Sequence, residues 1–377
     1  MFTKALREVD PMPVMGFFLV SGAAIVLWNM LADIAYAFLD PRIRLPDGAE
    51  TQMTLNTEQF QPDVETQGMT VTARTQRQLV IRRFFRHKGA LFGLVLFTFV
   101  FVLAFSSIGF GPIPGWWDKS WTGTGTLVER GRPTLSLLPE FLGGTGVHLG
   151  EHPFGQDNLG KDYFALTMRG TQISIIVALA IGLISTIVGT VIGALAGYFR
   201  GRAEAVLMRF TDVMITIPVL VIGAVVGQMA GNLGPYFLAL MLGLITWTSV
   251  GRLVRGQFLS LREKEFVEAA RAVGTPATRI IFKHILPNTL GVIIVSATLA
   301  ISSGILLETA LSFLGFGVKP PDTSLGLLIE TYRSAMVTRP WLFWWPGIFI
   351  VVIALSVNFI GDGLRDAFDP RQNRVRD

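Results

Sequence analysis

Seven long apolar runs, none of which contains a charged residue, dominate this sequence. A helix needs about 20 apolar residues to cross the hydrocarbon core of a bilayer, whereas the strands of a membrane barrel are shorter and alternate in hydrophobicity. These runs are continuous, so we predict helical spans at residues 14–31, 90–108, 173–198, 213–230, 236–250, 291–307 and 343–360.

The composition agrees with a membrane protein and excludes several other classes. Hydrophobic residues make up 51% of the chain and charged residues only 16%, which is unusual for a soluble domain. The chain has no cysteine, so it cannot form a disulfide framework or a thiolate metal site. The net charge of +5 is modest, and we predict neither nucleic-acid binding nor a cofactor. The predicted fold is all-α, a polytopic membrane helix bundle of six core spans with one extra N-terminal helix.

The distribution of basic residues predicts the orientation. If residues 74–88 are cytoplasmic, the connections on that side carry twenty Lys and Arg, against eight on the other side. Basic residues concentrate in cytoplasmic loops. We therefore expect 109–169 and 315–340 to be extracytoplasmic, with both ends of the six-span core inside.

The chain divides into three parts. Residues 1–45 form the extra helix and resemble the chain's own C-terminal end, residues 46–75 are a polar linker, and residues 76–377 are the core. Within the core, 109–169 form an extracytoplasmic lobe and 251–287 a cytoplasmic loop. The internal match pairs Asn29, Asp33 and Asp40-Pro41-Arg42 with Asn358, Asp362 and Asp369-Pro370-Arg371.

The loop 251–287 is the most informative segment. A short helix is predicted at 265–273, with one apolar stripe, and Gly274 follows it where a helix end favours a left-handed residue. A second short helix is predicted from Pro276 to Pro287, whose ring should end it. The stripe consists of Phe266, Ala269, Ala270 and Val273.

These residues resemble a known motif. Glu268-Ala269-Ala270, Gly274 and Ile285-Leu286-Pro287 are similar to the EAA-type loop of permeases in ATP-binding-cassette (ABC) importers. The segments 152–162, 311–317 and 362–371 are similar to the second, C-type permease subunit of dipeptide, oligopeptide and nickel importers. The resemblance implies a type I ABC importer permease fold and a loop that docks on an ATPase. Its coupling residues are then Glu268, Ala269, Ala270, Gly274, Ile285, Leu286 and Pro287.

The resemblance also implies a function and partners. The chain is expected to be a non-enzymatic subunit that moves di- or oligopeptides across the bacterial cytoplasmic (inner) membrane. Its expected partners are a homologous permease, cytoplasmic ATPase subunits, an extracytoplasmic solute-binding protein, a peptide substrate and membrane lipid. A nickel or other small-solute importer of the same family remains an alternative, as does an ion-coupled secondary transporter.

Other polar and aromatic residues receive structural interpretations. Glu308 and Asp212 are predicted at the membrane interface, although an acid within a span is a functional candidate by default. His152, Asp157 and Asp162 are predicted to form turns rather than a metal site. The tryptophans are predicted to form interfacial belts; they are Trp116, Trp117, Trp121, Trp341, Trp344 and Trp345.

Overall fold

A computed structural model describes residues 76–136, 146, 148–230 and 233–368, and these residues are mainly helical. A two-stranded ribbon pairs β1 (Gly109–Phe110) with β2 (Ile113–Pro114) in antiparallel register. In chain order the helices are α1 (Gln76–Arg86), α2 (Lys88–Ser107), α3 (Tyr163–Phe199), α4 (Gly201–Thr216), α5 (Val219–Ala230), α6 (Pro235–Thr246), α7 (Thr248–Arg262), α8 (Glu265–Ala272), α9 (Ala277–Phe313), α10 (Leu325–Tyr332) and α11 (Trp341–Phe368).

The described residues contain four helices that are long and apolar enough to cross a membrane alone, namely α2, α3, α9 and α11. Two bent pairs, α4 with α5 and α6 with α7, raise that number to six if each pair is one span. This agrees with the six predicted core spans. The first predicted span and the linker, residues 1–45 and 46–75, lie outside the described residues, as do residues 369–377.

The prediction of one continuous helix over 213–230 is wrong. The α4–α5 pair bends by 82°, and the break contains Pro218. A residue before proline avoids the helical region, and Ile217 has φ −86° and ψ 124° accordingly. The α6–α7 pair bends by 43° near Trp247. The apolar runs 213–230 and 236–250 each continue across a bend, because the composition does not change there.

Helix α3 is the centre of the bundle and packs against α6, α7 and α9. Its contact with α7 uses Gly189, Gly193 and Gly197, which lie on one face at a spacing of four residues. A Cβ atom on Gly193 would lie 2.4 Å from the carbonyl oxygen of Gly251 on α7. Small residues at this spacing let two membrane helices approach closely, and here they join the backbones of α3 and α7.

At the opposite end of the bundle, the segment between α2 and α3 packs onto α10 and α11. The Phe154 ring stacks on Trp345 with centroids 3.8 Å apart, and the Trp117 Nε1–H donates to Asp162 at 3.3 Å. Four tryptophans are partly buried and pack against the core at this end, namely Trp117, Trp121, Trp341 and Trp345, and their place in an interfacial belt stays a prediction. Trp116 and Trp344 are exposed.

Candidate functional site

Helix α8 and the residues around it form the site that the sequence pointed to. Of the predicted stripe, Phe266 has 41% of its surface exposed and Val273 86%, and Ala269 is also exposed. These three members of the stripe are therefore at the surface of the described part of the chain, whereas Ala270 is partly buried. Glu268 is exposed as well, and its carboxylate has no ion pair or hydrogen bond to a described residue.

Val267 holds α8 in place. It is fully buried, and the apolar pattern of the sequence does not predict this role. It belongs to a cluster, here called the anchor cluster, built from α3, α7, α8 and α9. A helix with apolar residues on two sides gives no sequence signal for which side faces inward. The buried members are Ala194, Tyr198, Val250, Val254, Phe258, Val267, Ile280, Ile281, Ile285 and Ile293.

The predicted coupling residues divide between this cluster and the surface. Ile285 is fully buried in the anchor cluster, and Ala270 and Leu286 pack against its edge. Gly274 and Pro287 are exposed, as are Glu268 and Ala269. The structure thus brings the two ends of the motif together, because Ile285 shares the cluster with Val267 of α8.

Gly274 adopts the left-handed conformation that the sequence predicts, with φ +78°. The Thr275 N–H donates to the Ala270 carbonyl at 3.0 Å, and the Gly274 N–H to the Arg271 carbonyl at 2.9 Å. This pair of bonds is a Schellman motif, which satisfies carbonyls left free at a helix end. The turn therefore fixes the direction in which the chain leaves α8.

The prediction that Pro287 ends a short second helix is wrong. Residues Ile280–Ile285 form a π-helical segment, and the chain continues through Pro287 into a helix that ends at Phe313. Proline lacks the N–H that would bond the carbonyl four residues earlier, and the wider π turn accommodates that loss. As a result, the loop is joined rigidly to a membrane-spanning helix.

Two arginine side chains connect α8 and the end of α7 to the C-terminal end of α3. The guanidinium groups of Arg262 and Arg271 lie 5.7 and 5.6 Å from the centroid of the Tyr198 ring, within the range of cation–π attraction. Arg262 also donates to the Tyr198 carbonyl, and Arg255 pairs with Glu204. Arg271 of α8 and Arg262 of α7 therefore share one aromatic partner on α3.

An open cavity of about 680 Å³ lies where the two bent pairs meet α9. Its walls are mostly apolar, and several hydroxyls and one charged side chain interrupt them. The charged group, Arg252, pairs with Asp212 at 2.6 Å, and Asp212 is exposed. Residues on the walls include Met214, Pro218, Thr246, Ser249, Leu299 and Ser303.

Glu308, which the sequence predicts at the membrane interface, lies inside the protein. Its side chain is fully buried between α3, α9 and α10. Ser312 donates to it at 2.6 Å and Ser174 at 3.2 Å, and the Leu325 N–H donates to Ser174 at 3.1 Å. Glu308 therefore joins three elements at the end of the bundle opposite α8. The sequence does not predict this role, because Ser174 is distant along the chain, although Ser312 lies one helical turn from Glu308.

The acidic residues of the lobe hold backbone turns, as predicted. Asp157 accepts the N–H groups of Leu159 and Lys161, each at 2.8 Å, and Asp162 caps α3 by accepting the Ala165 N–H at 2.7 Å. Among the described residues, no group of three or more His, Asp or Glu is arranged to hold a metal ion.

Tyr332 connects this lobe to α10. Its hydroxyl donates to the Asp157 carboxylate at 2.9 Å. Burial, together with this carboxylate, raises the pKa of Tyr332 above its usual value. The phenol consequently stays protonated and keeps the bond.

Two family models match the chain. Residues 189–374 match the model described as "binding-protein-dependent transport system inner membrane component". Residues 75–114 match that of the N-terminal transmembrane domain of oligopeptide transport permease C. The first match includes the α7–α9 loop and nearly all of the cavity wall.

Similar curated proteins come from several bacteria. The oligopeptide transport system permease protein OppC of Mycobacterium bovis is 36% identical over 303 residues, covering 80% of this chain and 97% of that protein. The protein of the same name from Haemophilus influenzae is 36% identical over 307 residues, covering 80% and 91%. A solved structure of the MetNI methionine ABC transporter is 16% identical with a TM-score of 0.41, over 54% of this chain and 96% of that one, which is too low to support an argument.

Proposed function

The chain belongs to the family of inner-membrane permease components of binding-protein-dependent ABC importers, on its oligopeptide permease C branch, and on this basis we propose that it moves peptides into the cell. It is a multi-pass inner-membrane protein with the type I permease fold of that family. The resemblance found in the sequence is confirmed at the level of the family. In this family ATP hydrolysis belongs to separate subunits, and the peptide substrate is inferred from the relatives' names.

The observation that carries the proposal is the exposed apolar stripe of α8 above a buried anchor. Phe266 and Val273 are apolar side chains that stay 41% and 86% exposed, whereas Val267 beside them is fully buried. Apolar surface of this kind at a protein's edge marks an interaction site. We assign the stripe to the ATPase subunit, with Glu268 beside it as an acceptor for the partner's donors.

The route of coupling follows from the anchor cluster. Closure of the ATPases on ATP would push α8, and the buried contact of Val267 with Ile280 and Ile285 would pass this motion to α9. Because α9 continues into the membrane without a break, its intramembrane part moves with the loop. Well-packed cores transmit such displacements, since they have low compressibility.

The cavity at the two bends is our candidate for part of the peptide passage. It is bounded by α7 and α9, the helices that the anchor cluster would move, and by the broken span of α4 and α5. Apolar walls with scattered hydroxyls suit a ligand whose side chains vary while its backbone always offers amide groups. Thr246, Ser249 and Ser303 supply those hydroxyls.

The proposed orientation also indicates where the remaining partners would bind. With α8 inside, the lobe of residues 109–169 faces outward, where a solute-binding protein would deliver the peptide. A second, homologous permease would complete the passage. This arrangement continues to rest on the asymmetry of basic residues.

The proposal is tested by changing the α8 turn in the purified, reconstituted complex. Valine at Gly274 requires a left-handed β-branched residue, at a cost of roughly 1–2 kcal/mol, which corresponds to a loss of ATPase recruitment of about fivefold or more. Gly274→Asn should retain recruitment because asparagine tolerates this conformation. Glu268→Ala should lower recruitment without changing membrane insertion. Recruitment is measured by copurification of the ATPase and compared with peptide uptake.

Gly111→Val is the matched control. Gly111 also has a positive φ, of 58°, and open space around its Cβ position, but it lies in the β1–β2 turn. This variant should suffer the same backbone strain and keep normal recruitment. Normal recruitment and uptake in both Gly274→Val and Glu268→Ala would remove the coupling role from α8.

A further inference from the structure

Helix α1 lies directly before the first described membrane-spanning helix and is held to the bundle on one side only. Val80 and Phe84, one turn apart, are partly buried, and the Phe84 ring lies against Gly363 of α11. The Arg83 guanidinium donates to the Ala367 carbonyl at 3.4 Å. These contacts fix which face of α1 is turned away from the described part of the protein.

The outward face of α1 carries two parallel rows of different chemistry. Ile81 and Phe85, each 57% exposed, form an apolar row one helical turn apart. Arg82 and Arg86 are also exposed and form a basic row beside it, at the same spacing. Neither arginine has an ion pair with a described residue, and no acidic residue occurs between positions 76 and 88.

The position of α1 places these rows at a membrane surface. His87 is non-helical, with φ −82° and ψ 101°, and its ring accepts the Ala90 N–H at 3.0 Å as the N-cap of α2. Since α2 spans the membrane from Lys88, α1 ends where the bilayer begins. A helix at this depth can bury an apolar row among acyl chains and keep a basic row at the headgroups.

We propose that the outward face of α1 is a binding site for anionic phospholipids. Arg82 and Arg86 bind the headgroup phosphate, and Ile81 and Phe85 contact the upper acyl chain. Acidic lipids attract basic residues beside a membrane-spanning helix, by about 1 kcal/mol for each residue. The inference deepens the proposed orientation, which places α1 at the cytoplasmic leaflet, but lipid selectivity itself does not require transport.

The test uses the absence of cysteine from the chain. Ile81→Cys in the full-length chain is labelled with an environment-sensitive fluorophore and placed in bilayers of equal phosphatidylglycerol and phosphatidylcholine. Bromine on the acyl chains of only one of the two lipids then quenches the label according to how often that lipid is adjacent. We expect brominated phosphatidylglycerol to be enriched at the label by about fivefold or more, the factor equivalent to one such arginine.

Two double variants decide whether the arginines select the lipid. R82Q/R86Q should bring the enrichment close to one, while quenching by the two brominated lipids together persists. R130Q/R132Q removes the same charge from exposed residues of the lobe and should leave the enrichment unchanged. Equal quenching by the two lipids in the parent chain, a preference that survives R82Q/R86Q, or no quenching by either lipid would each overturn the proposal. These measurements need no ATP and no peptide, so failure of the proposed transport would leave their outcome readable.

Discussion

Gly193 shows at the residue scale how tightly the bundle is built. A Cβ at this position would lie 2.4 Å from the Gly251 carbonyl oxygen, and neither helix backbone can yield locally. We expect Gly193→Ala to lower the stability of the purified protein by about 1–3 kcal/mol, the usual range for overpacking. Thermal unfolding in detergent measures this change.

Gly256→Ala on α7 is the control for this prediction, since its Cβ would have no atom within 4 Å. It should unfold at or slightly above the parent temperature, because alanine favours the helix. Equal unfolding temperatures for the two variants would show that α3 and α7 do not pack as described.

The sequence predicts the conformation or environment of some residues and not of others. The conformation of Gly274 is predictable because it depends on the local end of one helix. The burial of Glu308 is not, because its surroundings come from Ser174, Ser312 and the loop before α10, which meet only in the folded bundle. Local backbone preferences are therefore easier to infer than the environment of a side chain.

At the scale of elements, α8 is attached to the bundle through one side, and we propose that its other side binds the ATPase. Val267 is fully buried and Val273 is 86% exposed. Val267→Ala should destabilise the loop by roughly 1–3 kcal/mol through lost burial and a cavity. Val273→Ala should leave stability unchanged and weaken ATPase recruitment.

Thermal unfolding and ATPase copurification, measured on both variants, separate the two roles. The same chemical change is made once within α8 and once at the residue that follows its end, so each variant is the control for the other. If Val273→Ala also destabilised the chain, or left recruitment intact, the exposed stripe would not be the docking surface.

The elements also show where sequence patterns stop being informative. The apolar runs predict the number of core spans, but the bend at Pro218 lies inside a run whose composition does not change. The stripe of α8 predicts an amphipathic helix and not the direction in which it points, because the partner that we propose for it belongs to another chain. No sequence pattern identifies the π-helical segment before Pro287, because that segment depends on how α9 continues.

At the scale of the whole molecule, the anchor cluster links the exposed loop to the helices that border the cavity. The apolar runs and the EAA-like motif predict the parts of this arrangement separately. Their connection requires the packing of the consecutive helices α7, α8 and α9 against α3, which is distant in sequence. An ATP-driven importer needs such a connection between its loop and its spans. An ion-coupled transporter would instead carry coupling acids near the middle of its spans.

The most direct test of the central claim is the uptake of a labelled oligopeptide into proteoliposomes that contain this chain, its paired permease, the ATPases and an external binding protein. We predict accumulation that requires internal ATP, is unchanged when a proton gradient is collapsed, and is lost in Gly274→Val but retained in Gly111→Val. Accumulation driven by a proton gradient without ATP, or uptake unaffected by Gly274→Val, would contradict an ATP-driven permease coupled through α8.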